Sequence, residues 1–149
     1  MNRADVGARG EQAAARYLRR HGYDVIERNL HHSHQEIDII AINKQYIAFV
    51  EVKTRVLDPE SADRYSAPSA AVTHQKQEYL RKAARSYLAG HPSPRQPRMD
   101  VIEVYLAPEQ YLGRFDRAWE RVSGWFGIPQ RKVLKINHIE NAFGSRHRY

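Results

Sequence analysis

No cysteine occurs among the 149 residues, which excludes disulfides, a thiolate zinc site and a thiol nucleophile. Long apolar runs are missing as well. No stretch approaches the roughly 20 residues a membrane-spanning helix needs, and the opening MNRADVGARGEQ lacks the apolar segment of a signal peptide. A cytoplasmic protein with no membrane partner is the expectation. Repeats and low-complexity segments are also absent. Acidic residues are outnumbered, 17 against 24 Lys and Arg, for a net charge of +7. That balance suits a polyanionic partner, with nucleic acid the foremost candidate. A hydrophobic share of 42% argues against a globally disordered chain, and the length suits a single domain, 1–149, with a real core.

Residues 4–21 carry Ala13, Ala14, Tyr17 and Leu18 at helical spacing, and Gly22 stops the helix. YDVIERNL (23–30) predicts a strand, and HHSH (31–34) a connection. EIDIIA (36–41) and YIAFVEVK (46–53) predict a hairpin about the polar turn NKQ. A polar loop, 56–68, leads to a second helix with Ser69 as N-cap and Gly90 as its end. RMDVIEVYLA is a further strand. Residues 107–131 read as a helical insertion, with Phe115, Trp119, Val122 and Phe126 near one face. RKVLKINHIENAF contributes a last strand, and 144–149 form a basic tail. Strands mixed with covering helices predict an α/β sandwich around a mixed sheet. The strands before the second helix should be antiparallel neighbours, and the strand after it should return parallel through a right-handed crossover.

The hairpin poses a problem. Its strands are apolar enough for a core, yet they hold Glu36, Asp38, Glu51 and Lys53. Side chains alternate along a strand, so Glu36 and Asp38 share one face of theirs, and Glu51 and Lys53 one face of theirs. Pairing about NKQ brings Asp38 near Glu51. Buried carboxylates so placed repel and raise each other's pKa. A divalent cation resolves the conflict, and hard carboxylate oxygens select Mg²⁺ or Mn²⁺. A lysine beside such a metal can orient or deprotonate an attacking water, or stabilise a phosphorane-like transition state. The competing reading is a structural ion pair on an exposed sheet edge.

Asp38 followed by Glu51-Val52-Lys53 resembles the D…(D/E)xK signature of the PD-(D/E)xK, or restriction-endonuclease-like, nuclease superfamily. The predicted α-β-β-β-α-β order is similar to that superfamily's core. GARGEQAAARYLRRHGYDVIERNL, EIDIIA, FVEVKTR, VTHQKQEYL and INHIENAF together resemble the bacterial YraN-like family, over most of residues 7–106 and again over 136–143. The layout is also similar to that of archaeal Holliday-junction resolvases. These resemblances imply a restriction-endonuclease-like sandwich and a Mg²⁺-dependent endonuclease acting on nucleic acid, with DNA, including branched DNA, favoured. Asp38, Glu51 and the carbonyl of Val52 become the implied metal ligands and Lys53 the implied catalytic lysine. Glu11, on the first helix, and Glu36 join them as candidate site residues. The chain departs from the family at Gln35, where glycine is common, and at His31, where arginine is common.

Lys76, Gln75, Arg55, Arg19 and Arg20 are the candidate nucleic-acid contacts. Gln75 and Tyr79 fit a QxxxY pattern seen in some nucleases of the superfamily. Arg16 and the basic tail would track phosphates in the same way. HHSH reads as a solvated or phosphate-contacting loop, and Asp100, at the opening of its strand, as structural. The aromatic segment 111–126 reads as core or as a homodimer interface. The alternative function is a catalytically silent module on the same fold that binds nucleic acid or recruits a DNA-processing protein. A third is a homo-oligomer that binds a partner through the aromatic helix.

Overall fold

The computed structural model describes residues 3–57, 72–108 and 132–144. Residues 109–131 of the insertion expected at 107–131, Ser69 and the tail beyond Gly144 lie outside that set. The first helix, α1 (Arg3–Arg20), buries Gly10, Ala13, Ala14, Ala15 and Leu18. Small side chains on that face let the helix lie close against a sheet. At Gly10 the approach is closest: a Cβ there would stand 1.7 Å from Oγ1 of Thr54. The chain leaves the helix at Gly22, whose φ of +83° suits glycine.

Five strands follow: β1 (Asp24–His32), β2 (Gln35–Ile42), β3 (Tyr46–Val56), β4 (Gln96–Leu106) and β5 (Val133–Ile139). A second helix, α2 (His74–Gly90), lies between β3 and β4. The spatial strand order equals the chain order. β1, β2 and β3 are antiparallel neighbours, β4 lies parallel to β3, and β5 is antiparallel to β4. This is an α/β architecture with a mixed sheet, as the hydrophobic patterning implies. The β2–β3 turn is fixed by Asn43, whose Oδ1 accepts from the amides of Gln45 (2.9 Å) and Tyr46 (2.7 Å).

Alternation along the strands divides the core in two. One side packs Ile39, Ala41, Ala48, Val50, Ile102 and Val104 against the alanines of α1. The other packs Ile37, Ile40, Phe49, Met99 and Val101 against Leu80, Ala83 and Ala84 of α2. Burial of such side chains contributes on the order of 2 kcal/mol each. No helix among the described residues is long and apolar enough to cross a membrane.

Three expectations need correction. HHSH is not all connection: His31 and His32 continue β1, paired with Glu36 and Gln35, and the turn is made at Ser33 with φ of +60°. The second helix is capped by Thr73, not Ser69, with Thr73 Oγ1 accepting from the Lys76 amide at 3.2 Å. Asp100 does not open its strand; it is the fifth residue of β4 and fully buried. There Asp100 accepts from Arg98 Nε and Nη2, both at 2.8 Å, and from the Asn141 amide at 3.0 Å, and it pairs with His138 Nε2 at 2.8 Å. This cluster ties the segment after β5 to the sheet. Arg81 of α2 binds the same segment through the carbonyls of Phe143 and Gly144.

Candidate active site

The β1–β2 ladder runs to His32–Gln35 and the β3–β4 ladder to Val56–Leu106, but the β2–β3 ladder ends at Ile39–Val50. Asp38 and Glu51 are the next residue on either side of that opening. Alternation breaks here. Ile37 and Ile39, two apart, are both fully buried yet pack into opposite cores. The neighbouring strand bends at the same level, where Asn29 takes a φ of +50°, inside the left-handed region. The bend leaves Asp38 aimed into the opening. Its Oδ2 accepts the Val52 N–H at 2.7 Å, in place of a ladder bond.

The electrostatics follow from this geometry. Burial pushes the Asp38 carboxyl up to about 7, and the charges of Glu51 and Glu11 push the same way; the Val52 N–H and Lys76 pull against them. The side chain of Glu51 is 14% exposed, and its Oε2 is buried with no hydrogen bond. Lys76 Nζ stands 3.5 Å from that oxygen. Lys76 is in the first turn of α2, so the second helix reaches the site through this cation. Glu11 reaches it from α1, held there by the close Gly10–Thr54 approach. Burial raises the Glu11 carboxyl, a side-chain hydrogen bond with Asn29 lowers it, and Glu36 and Glu51 raise it further. Glu36 is half-buried, with His31 Nε2 at 4.0 Å from its Oε1.

The other candidates divide. Lys53 is two residues beyond Glu51 and so on its face of β3. Val52 turns its side chain into the α1-side core, leaving its backbone to the site. Arg55 lies in register with Tyr105. Gln75 is exposed and donates to the Tyr79 hydroxyl at 2.8 Å, so the QxxxY pair is joined to itself. Arg19 and Arg20 belong to the exposed end of α1, across the sheet from Lys76, and Arg20 lines a separate hollow with Arg16 and His21. The structure does not bring them to the carboxylates.

Sequence reasoning passes over Glu103. It is 1% exposed on β4, in register with Lys53. Its Oε2 accepts from the Tyr105 hydroxyl (3.0 Å) and from Asn137 Nδ2 (3.1 Å), while Oε1 has no hydrogen bond. The available signal was a lone glutamate inside the apolar run VIEVYLA.

Among the described residues, no three His, Asp or Glu side chains gather in a metal-holding group. What remains is a pair of carboxylates. A pair suffices for Mg²⁺, which keeps water and substrate oxygens in its other positions. The Glu51 oxygen that accepts no hydrogen bond and the raised Asp38 carboxyl fit a divalent cation, which would coordinate the first and discharge the second.

Comparison with known sequences gives the chain a family. The model of the uncharacterised protein family UPF0102 matches residues 10–104. A UPF0102 protein of Caldanaerobacter subterraneus is 38% identical over 96% of this chain and 98% of its own. One from Syntrophomonas wolfei is 44% identical over 96% of this chain and its own full length. A third, from Symbiobacterium thermophilum, is 45% identical over 72% of this chain. The matched span runs from the close-packed Gly10 through both carboxylates to β4, and the chain belongs to the UPF0102 family.

Proposed function

We propose that the protein is a metal-dependent endonuclease of the restriction-endonuclease-like type that hydrolyses phosphodiester bonds in nucleic acid, with DNA favoured over RNA. The observation that carries this reading is the part-buried Asp38–Glu51 pair at the end of the β2–β3 ladder, with a Glu51 oxygen that accepts no hydrogen bond and Lys53 on the same face of β3. Asp38, Glu51 and the Val52 carbonyl would hold Mg²⁺ or Mn²⁺. The bound ion supplies Lewis-acid polarisation of the scissile phosphate and a more acidic water. Lys53 orients the attacking water, or donates to the non-bridging oxygens as charge develops on them. The Val52 N–H fixes the Asp38 carboxylate in one orientation. Glu11 and Glu36 add negative potential that favours the cation over a proton. Lys76 neutralises Glu51 when no cation is present. The basic surface draws a polyanion, and a cytoplasmic setting accords with a cysteine-free chain.

One observation favours a second reading. Asp38 is already bonded to a backbone amide and Glu51 is already near a lysine, so the site is tolerable without a metal, as in a silent nucleic-acid-binding or adaptor module. Calorimetric titration of Mn²⁺ and Mg²⁺ separates the two. Binding to the wild type that is absent in Asp38→Ala/Glu51→Ala, with cleavage abolished by Lys53→Ala, is the expected result. No binding even with a duplex or a junction present would remove the catalytic reading.

A further inference from the structure

A groove of about 680 Å³ runs between α2 and the β1–β2 turn. Lys76, Tyr79 and Lys82 line its helical wall, and His32, His34 and Glu36 its other wall. Lys76 is shared with the carboxylate site, where its Nζ is 3.5 Å from Glu51. The groove therefore opens onto the proposed point of hydrolysis. Its walls carry two ammonium groups and two imidazoles against one carboxylate, and that carboxylate faces His31. The volume falls in the range of sites that enclose groups of nucleotide size. Tyr79 is the unusual member. It is 40% exposed, while the residue next to it, Leu80, is buried in the core. Its hydroxyl is engaged by Gln75 within the same helix, which steadies the ring without covering it.

An exposed aromatic ring set between lysines matches what an unpaired nucleotide offers: a π-face to stack on and phosphates on either side. A duplex cannot use it in the same way, because its bases already stack on one another and only their edges reach the surface. An acidic peptide would satisfy the lysines and leave the ring unused. We propose that this groove binds an unpaired nucleotide strand, stacking one base on Tyr79 and pairing its phosphates with Lys76 and Lys82. This rests on the nucleic-acid reading above and makes it specific: the substrate carries a single-stranded element, such as a flap, a gap or an unpaired end, running along α2 to the site.

The test is fluorescence anisotropy in EDTA, where no hydrolysis occurs. A labelled twelve-residue oligothymidylate is compared with a duplex of equal length, on wild type, Tyr79→Ala, Tyr79→Phe and Lys82→Ala. Loss of one stacked base weakens binding by about 5- to 150-fold. The expected result is such a loss for the single strand with Tyr79→Ala, retention with Tyr79→Phe, and duplex binding changed less than about twofold. Lys82→Ala should flatten the salt dependence of single-strand binding. Equal losses on strand and duplex, no loss with Tyr79→Ala, or an equal loss with Tyr79→Phe would overturn the proposal. So would tighter binding of a labelled polyglutamate peptide. A parallel cleavage assay of the wild type in Mn²⁺ separates this from the catalytic reading: strand binding with the expected Tyr79 pattern and no cleavage upholds the groove and removes the nuclease.

Discussion

Lys53 and Glu103 stand in register across the parallel β3–β4 pair, a half-buried lysine beside a carboxylate that is 1% exposed. Glu103 is held by Tyr105 and Asn137 through one oxygen only. In-register residues of parallel neighbours share a face, so Glu103 and Lys53 stand side by side there. Glu103→Gln keeps the shape and removes the charge. Metal-dependent cleavage should fall by roughly tenfold, the lower end of what groups behind a metal site contribute, while oligonucleotide affinity stays within about twofold. Single-turnover rates alongside anisotropy check both halves.

The Asp38 carboxyl sets a pH dependence of stability. In the folded protein it keeps its proton up to about 7, whereas its ordinary value is 3.8. Between those values the folded state binds the extra proton, so stability contributed by the protonated form is full at the acidic end and declines as pH rises through about 7. Asp38→Asn should remove this decline and raise stability at pH 8 by on the order of 2 kcal/mol. Mn²⁺ should raise the wild-type Tm at pH 8 and leave that of the variant unchanged. Thermal melts at pH 5.5 and 8, with and without metal, are the measurement.

Gly10→Ala places a Cβ 1.7 Å from Thr54 Oγ1 and 2.7 Å from its Cβ and Cγ2. Helix and strand must part to accept it. The expected cost is about 1–3 kcal/mol in urea unfolding. Glu11, the next residue, should move away from the carboxylates with it. Adding Thr54→Gly should restore part of the loss; an unchanged midpoint in the single variant would refute the close packing.

Asp100 is the charge on which β4 and the segment after β5 converge. Burial alone would raise its carboxyl, but hydrogen bonds from His138 and Arg98 and from the Asn141 amide hold it below the ordinary value. It is thus ionised in the fold wherever the free group would be, and its contribution is present above the ordinary value and lost as pH falls through the depressed one. Asp100→Asn leaves Arg98, 8% exposed, without its buried partner. A loss of about 3–5 kcal/mol is expected in chemical unfolding, with cleavage per folded molecule unchanged.

Much of the scaffold is legible in the residues. The period-two runs at 36–41 and 46–53 place Asp38 and Glu51 together because one antiparallel turn fixes the register, and Gly22 and Gly90 mark where the helices end. Harder to read is whatever depends on tertiary approach. Thr73 and Ser69 are both competent cap residue types, and the local sequence does not rank them. Lys76 meets Glu51 because α2 crosses that end of the sheet, which no local pattern states. Arg19 and Arg20 look equivalent to Lys76 by charge, yet they fall on the other side of the sheet. Glu103 carries no motif at all; its meaning comes from register with Lys53. The bend at Asn29 and Asp38 is the least visible, since strict alternation predicts one face for Ile37 and Ile39 and the fold gives them two.

The opening between β2 and β3 has an implication for engineering. A hydrophobic residue at position 38 would relieve the buried charge and let the two strands continue zipping, so selection for thermal robustness alone would close the gap. On the proposed nuclease reading, the sheet stays open at this point so that the two carboxylates can hold a cation. On that reading, searches for hardier versions should hold position 38 fixed and look to surfaces far from it, because robustness and competence would then compete for the same residue.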